Sequence, residues 1–366
     1  MKKLIRDITH IQKITPINLI DVGARWGIKT PWDQISDYIL SVYGFEADSK
    51  ECQKLNESIQ PGEKIKYFSN ALLDKKSTAT LYLTYLKGLS SVYKPDYTLM
   101  EKYFENDDFK ELFSETDFPH ENTVYKVQKE ITVTTDTLNN ILRQNKIKPD
   151  FIKIDTQGSE LSILKGSDEI LSETLGIEVE VEFLQLYQNQ PIFSEIDTLL
   201  KKFGFELFDL NRYWAKNKIL PNNCSSRGQL IFADAIYMRP FKNFSLESVA
   251  GKEQQREKIL KMIIILSLYG YFDVAFEYLC GLEYIFSESE IELLKKTIIY
   301  TSSYPKWQKV LLNNNFANSF GLLLQYLGKI FSYVSRSSDW GTDYNNVNTR
   351  YLYHASNKIN KYFGKK

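Results

Sequence analysis

The feature that most constrains this chain is the alternation of short apolar strands with helix-patterned segments between about residues 17 and 240. "INLIDVGA" reads as a buried strand and "QISDYIL" as the helix after it; "LSVYGFEAD" is a second strand and "SKECQKLNESI" a second helix. "IKYFSNALLD" and "STATLYLTYL" read as a third strand and an extra one turning back, and "KEITVTTDTLNNILRQ" as a strand and a short helix. "DFIKIDTQGSELSILKGSDEIL" gives a buried strand, a turn and a helix, and "LGIEVEVEFLQLY" another strand. "PIFSEIDTLLKKFGFELFDL" is helix then strand, and "RGQLIFADAIYMR" is the closing strand. Strands alternating with helices of roughly 10 to 15 residues specify an α/β fold with a mostly parallel, doubly wound sheet. The last two strands are expected to form a closing antiparallel hairpin at the sheet edge.

Two regions break the alternation. The tract from about 87 to 128 holds the Pro-broken, Ser-rich "GLSSVYKPDY" and the charged, helix-like "LMEKYFENDDFKELF", and is expected to be an insertion over the site. From about 241 the pattern turns helical, through "EKILKMIIILSLYGYFDVAFEYLCGLEYIF" and "FANSFGLLLQYLGKIFSYV" to a polar tail. The expected organisation is an α/β domain over 1–240, with its insertion at about 87–128, and an all-helical C-terminal domain over 241–366.

Composition narrows the function classes. Forty-six basic residues balance forty-six acidic ones, so no global field favours nucleic acid or an anionic membrane, and no nucleic-acid partner is expected. Cys52, Cys224 and Cys280 lie far apart, as do His10, His120 and His354, so neither a disulfide framework nor a zinc site is indicated. No metal is assigned, although Asp155, Glu180 and Glu182 are oxygen donors of the kind magnesium or calcium takes. "MKKLIRDITHIQKI" interrupts its apolar residues with charge and lacks a signal-peptide core. "MIIILSLYGYF" is about half the ~20 residues of a membrane span. A soluble, cytoplasmic protein with no integral membrane segment is the expectation.

The stretch "LIDVGARWG" ends the first strand, where a doubly wound sheet binds its ligand beyond the strands' carboxyl ends. Gly23 and Gly27 let the backbone pass close to a ligand, with Asp21, Ala24 and Arg25 beside them. A dinucleotide turn wants GxGxxG, and here Arg25 stands in the place of the second glycine. That argues against a pyrophosphate and fits a nucleoside whose charged part is an amino acid. Glu46, after the second strand in "YGFEAD" with Ala47 and Asp48, is placed to accept from both ribose hydroxyls. The alternative is that Asp21 caps a turn, the glycines only turn the chain, and Glu46 is solvated.

Taken together, "LIDVGARWG", "VYGFEADSKECQKLN", "DFIKIDTQGSELSILKGSDEIL", "VEVEFLQLYQNQPIFSEIDTLLKKFGFELFDL" and "RGQLIFADAIYMR" resemble, in order and spacing, the FkbM family of S-adenosylmethionine-dependent methyltransferases, over about residues 15 to 240. Arg25 departs from the family's commoner Gly-Ala-Asn, and "KIDTQGSE" is the more specific match. The resemblance implies a class I Rossmann-like methyltransferase sheet, S-adenosylmethionine as cofactor, and acceptors that are hydroxyls of sugars or secondary metabolites, often in bacterial surface-polysaccharide pathways. It also implies that Asn70 and Ala71 lie where adenine is held, that Ser90 and Ser91 belong to a loop near the cofactor, and that Asp155 contacts the cofactor's amino group or serves near the acceptor.

Methyl transfer is an in-line displacement, in which the protein aligns the acceptor and helps remove its proton. Asp155, at the carboxyl end of "FIKIDTQG", would lie near the reacting carbon; its alternative is a helix N-cap ahead of Glu160. Glu178, Glu180 and Glu182 share one strand face, and three like charges there are costly unless spread between solvent, basic partners and a site. Glu180 and Glu182, nearer the cleft, are the better acceptor-binding or proton-removing candidates; the alternative is a wet edge strand. His120 in "DFPHEN" is a candidate mobile base or simply a surface residue. Asp136 is a site or cap residue, Arg227, Gly228, Gln229 and Asp234 mark the closing strand, and Tyr213 and Trp214 are either a sugar platform or a cover for the sheet edge.

The reading that follows is an O-methyltransferase acting on a sugar or glycan hydroxyl, probed through catalytic candidates Asp155, Glu180, Glu182 and His120. The helical region would cover a substrate entrance or form a homodimer face. The competing reading is a non-catalytic cofactor-binding or scaffold protein that docks a pathway enzyme through that region. A nicotinamide-dependent oxidoreductase is disfavoured by the glycine spacing.

Overall fold

In a computed structural model, residues 1–104, 124–219, 226, 228–243 and 251–303 are described. The strands are β1 (Ile17–Val22), β2 (Leu40–Phe45), β3 (Ile65–Phe68), β4 (Ala71–Leu72), β5 (Ser77–Thr84), β6 (Val127–Asp136), β7 (Phe151–Ile154), β8 (Gly176–Glu182), β9 (Glu206–Ala215) and β10 (Gln229–Met238). The helices are α1 (Lys2–Ile11), α2 (Ser36–Ile39), α3 (Ser49–Glu57), α4 (Tyr97–Tyr103), α5 (Leu138–Gln144), α6 (Glu160–Lys165), α7 (Asp168–Leu171), α8 (Phe193–Lys202), α9 (Lys252–Leu268), α10 (Phe272–Gly281) and α11 (Glu288–Ser302).

Seven strands form the main sheet in the order β3-β2-β1-β7-β8-β10-β9. The pairs from β3 through β8 are parallel, and β10 runs antiparallel to β8. Strand order reverses between β1 and β7, which puts the topological switch point at the carboxyl ends of those two strands. This is the expected α/β, doubly wound sheet with a reversed closing strand. Alternate residues of each strand feed two cores. Ile20, Val22, Ile152, Ile154, Val179 and Val181 pack with residues of α5, α6 and α8 on one face. Ile17, Leu19, Phe151 and Met238 pack with α1, α9, α10 and α11 on the other.

The structure departs from the expected pattern in three places. The segment after β1 is broken by Gly23, Gly27 and Pro31 into 3-10 turns at Ala24–Trp26 and Trp32–Gln34, and the helix expected over 34–40 is shortened to the single turn α2. β5 and β6 leave the main sheet and form a separate three-stranded sheet with β4, in the order β4-β6-β5. The boundary expected near 240 falls inside a compact unit made of Met1–Ala215 and Leu230–Tyr304. The physical reason is α9, whose residues from Ile259 to Leu268 are all buried and share the core of the sheet face. A second unit comprises Lys216–Gln229 and Pro305–Lys366, most of it outside the described residues. No helix among the described residues is long and apolar enough to cross a membrane.

Candidate functional site

A cleft of ≈ 210 Å³ opens at the carboxyl ends of β1, β2 and β7, against the small sheet and the loop over 86–92. Its floor begins at Gly23, whose φ of 88° suits glycine. An added Cβ there would stand 1.9 Å from the carbonyl oxygen of Asp155, so the turns after β1 and β7 are pressed together at this point. Gly27 also has a positive φ, but a Cβ there meets open space, so its requirement is conformational alone.

Glu46 follows β2 and is 7% exposed. Its Oε1 accepts from the Asp48 amide at 2.8 Å and from Arg25 Nη2 at 3.3 Å, and these two bonds, among the described residues, leave Oε2 for a ligand. Burial pushes this carboxyl up and the Arg25 guanidinium draws it back. Arg25 also reaches Asp48 at 3.4 Å and Glu51 at 3.8 Å. The residue that breaks the glycine pattern is therefore the counter-ion of the acid proposed for the ribose. Asp48 in addition caps α3 by accepting from Lys50 N.

Gly23, Arg25, Glu46, Ala47, Asn70, Ala71, Ser91 and Asp155 all line the cleft. Asp21 and Ala24 do not. Ala24 packs on Cys52 and Tyr67, and Asp21 points to the opposite side of the strand end, 3.9 Å from Lys153 Nζ. Burial pushes the Asp21 carboxyl up, and Lys153 opposes the rise. His120 and Arg227 lie outside the described residues.

Beside the cleft, the sheet face carries a buried polar layer. Lys153 Nζ lies 3.7 Å from Asp155 Oδ2, and Lys29 approaches the same oxygen at 3.8 Å. In register, Lys153 faces Glu178 on β8, and Glu180 faces Asp234 on β10. β8 is thus an interior strand, which removes the wet-edge alternative for its three glutamates. Glu178 is tied down by the Tyr269 hydroxyl at 2.6 Å, which itself accepts from Trp32 Nε1 at 3.0 Å. Glu180 and Glu182 are buried with no cation within ion-pair distance among the described residues, and burial together with neighbouring carboxylates pushes both well up. Neither belongs to the cleft wall, whereas Asp155 does.

Gln157 connects them, and it is a residue the strand pattern did not single out. Its Nε2 donates to Asp155 Oδ1 at 3.1 Å and to Glu180 Oε2 at 2.7 Å. Glu160 shapes the turn by accepting from Thr156 N, Thr156 Oγ1 and Gly158 N. Ser91 fixes the covering loop by donating to the Gln157 carbonyl at 2.7 Å. The only sequence signal for this arrangement was the polar run "DTQGSE" after a buried strand.

Two further candidates take structural roles. Asp136 accepts from Thr137 N and Asn140 Nδ2 and so braces the start of α5, whose N-cap is Thr137, with its hydroxyl accepting from Asn140 N. Tyr213 stacks on Phe232 at 4.8 Å and on Phe104 at 6.3 Å, so its ring faces are used inside the protein, and Arg212 lies over the Trp214 ring at 4.9 Å. Asp234 accepts from Asn211 at 3.2 Å. Among the described residues no group of three or more His, Cys, Asp or Glu side chains is arranged to hold a metal ion.

The cleft suits an adenosyl amino acid. It offers a buried carboxylate with an open oxygen, apolar walls from Phe45, Ala71, Leu72 and Leu81, and polar groups of Asp155, Ser91 and Ser159 at the far end. The family model described as the methyltransferase FkbM domain matches residues 21–207. No curated protein matches the chain. Among solved structures, magnesium protoporphyrin IX methyltransferase from Synechocystis PCC 6803 with bound S-adenosylmethionine is 10% identical, with a TM-score of 0.29, over 64% of this chain and 76% of that one. The 23S rRNA methyltransferase ErmE is 9% identical, with a TM-score of 0.24, over 72% and 77%. At these scores the fold rests on the strand order itself.

Proposed function

The chain belongs to the FkbM family of methyltransferases and takes S-adenosylmethionine as its methyl donor, and on that premise we propose that it methylates a hydroxyl of a sugar, in a bacterial surface glycan or its nucleotide-linked precursor. The observation that carries this reading is the pair of carboxyls, Asp155 and Glu180, joined by one amide at the edge of the cleft. A hydroxyl is a poor nucleophile until its proton has somewhere to go, and a carboxylate within reach supplies that place.

When bound, S-adenosylmethionine supplies a methyl carbon on a positively charged sulfur. Glu46 would hold a ribose hydroxyl through Oε2, and Gly23 would let the backbone pass beneath the ligand. Asp155 faces the acceptor and takes its proton, while Lys153 and Lys29 hold its other oxygen. Glu180, held near Asp155 with no lysine within ion-pair distance among the described residues, has its carboxyl pushed well up by burial and by the neighbouring carboxylates. Asp21 supports Lys153 from below rather than touching the cofactor. Glu182 sets the local charge and does not reach the cleft.

The test is to incubate the protein with S-adenosylmethionine carrying a labelled methyl group and a panel of nucleotide sugars and oligosaccharides, with RNA as comparison. Label in a sugar, lost in Asp155→Asn, supports the reading; label in RNA alone would overturn it.

A further inference from the structure

We propose that Gln157 is a positioning residue whose side-chain amide bridges the Asp155 and Glu180 carboxyls and so ties the cleft-lining Asp155 to the buried Glu180 behind it. The inference deepens the reading above and rests on it for the role of Asp155. Three observations carry it. First, a single Nε2 lies within hydrogen-bond distance of one oxygen from each carboxyl, 3.1 Å and 2.7 Å away. A primary amide has two N–H donors, so it can serve both at once. Second, the Tyr187 hydroxyl has one proton to share between the Gln157 Oε1 at 3.1 Å and the Leu89 carbonyl at 2.9 Å, so the acceptor end of the amide meets a hydroxyl donor. The opposite orientation would aim the amide oxygen at two carboxyls. Third, Gln157 is a non-glycine residue at φ 60°, held there by Glu160 on the amides to either side and by Ser91 on its carbonyl. Glycine is the easier choice at such a backbone position, so the side chain is kept against the backbone preference.

The consequence is a division of work on Asp155. Oδ1 is fixed by Gln157, and Oδ2 lies near Lys153 and Lys29. Gln157 also lines the cleft, so Glu180, which does not, reaches the cleft through this amide. The charged groups facing the pair are Lys153 and Lys29, Asp21 from β1, Glu182 from β8, Asp234 from β10 and Glu160 from α6. The two lysines lie against Asp155 and none lies within ion-pair distance of Glu180 among the described residues, so the Gln157 N–H is a donor that favours the charged form of Glu180.

The experiment is a carbon-13 NMR titration of the full chain labelled at glutamate carboxyls, with Glu180 assigned by Glu180→Gln. Gln157→Gly suits the backbone and removes only the amide. It is expected to move the Glu180 midpoint up by about 1 pH unit or more. Gln157→Glu keeps the length but adds a third carboxyl, and is expected to raise the Glu180 midpoint further and add a coupled step. An unchanged Glu180 midpoint in Gln157→Gly overturns the proposal, as does a Gly variant that unfolds alongside a Glu variant that titrates like the native protein. No acceptor is needed, so failure here is distinct from failure of the sugar screen.

Discussion

Arg25 makes cofactor binding depend on pH through Glu46. If Glu46 is the ribose acid proposed here, binding needs its carboxylate, so affinity should be present above its pKa and lost as pH falls through it. Burial raises that pKa and Arg25 restrains the rise. Arg25→Ala should therefore move the pH at which S-adenosylhomocysteine affinity halves upward, by about 1 unit. Calorimetric titrations across about pH 5 to 8 check this; an unmoved or lowered midpoint would show that Arg25 does not act on Glu46. At this scale the sequence told a good deal. That Glu46 and Asp155 line the cleft was legible because strand ends in a doubly wound sheet open onto the crevice. Asp21 was misplaced because residues at successive positions of a strand end point to opposite faces, and Asp21 shares the face of Ile17 and Leu19 with Lys153. Gln157 was not legible, since its role depends on a left-handed backbone that no residue type announces.

At the scale of elements, the site depends on two turns held in contact and on one helix end. Gly23→Ala would drive a Cβ into the Asp155 carbonyl at a positive φ, and should cost at least about 2 kcal/mol in urea unfolding while abolishing S-adenosylhomocysteine binding. Native stability in that variant would contradict the packing of β1 on β7. Tyr269, at the end of α9, donates to Glu178 and accepts from Trp32. Tyr269→Phe leaves both buried groups without that partner and should cost ~1–3 kcal/mol, read from the same unfolding curves; a loss below the scatter of those curves would mean water replaces the hydroxyl. The run "MIIILSLYGYF" belongs to this scale. It has no amphipathic period because α9 is enclosed on all sides from Ile259 to Leu268, which the sequence shows as an apolar block but cannot assign to a partner surface. β5 and β6 were legible as strands, yet the two-residue period is the same in either sheet, so their separate sheet was not.

For the whole molecule, the buried acids set an unusual pH response. Asp21, Glu160, Glu178, Glu180, Glu182 and Asp234 are all pushed up, chiefly by burial. An acid whose folded pKa exceeds its unfolded value binds more protons when folded. Its stabilising contribution is thus present below the unfolded pKa and lost as pH rises through the folded one. The melting temperature of the ligand-free protein should accordingly fall as pH rises from about 5 to 8, and Glu182→Gln should flatten the slope. A melting temperature that climbs over that range would show that the layer is hydrated. The α/β architecture and reversed closing strand were legible across the whole chain because each strand brought its own pattern. The boundary near 240 was not, since a change from strand to helix periodicity marks a change of element and not a change of core.

The account stands on the cleft at the ends of β1, β2 and β7 being the adenosyl site, with Glu46 as its ribose acid. Calorimetric titration of the native protein and Glu46→Ala with S-adenosylhomocysteine, side by side at neutral pH, tests this most directly. The account predicts saturable one-site binding to the native protein and affinity at least about tenfold weaker in the variant, the loss of a hydrogen bond to a charged group. Equal affinities would contradict it and place the cofactor elsewhere.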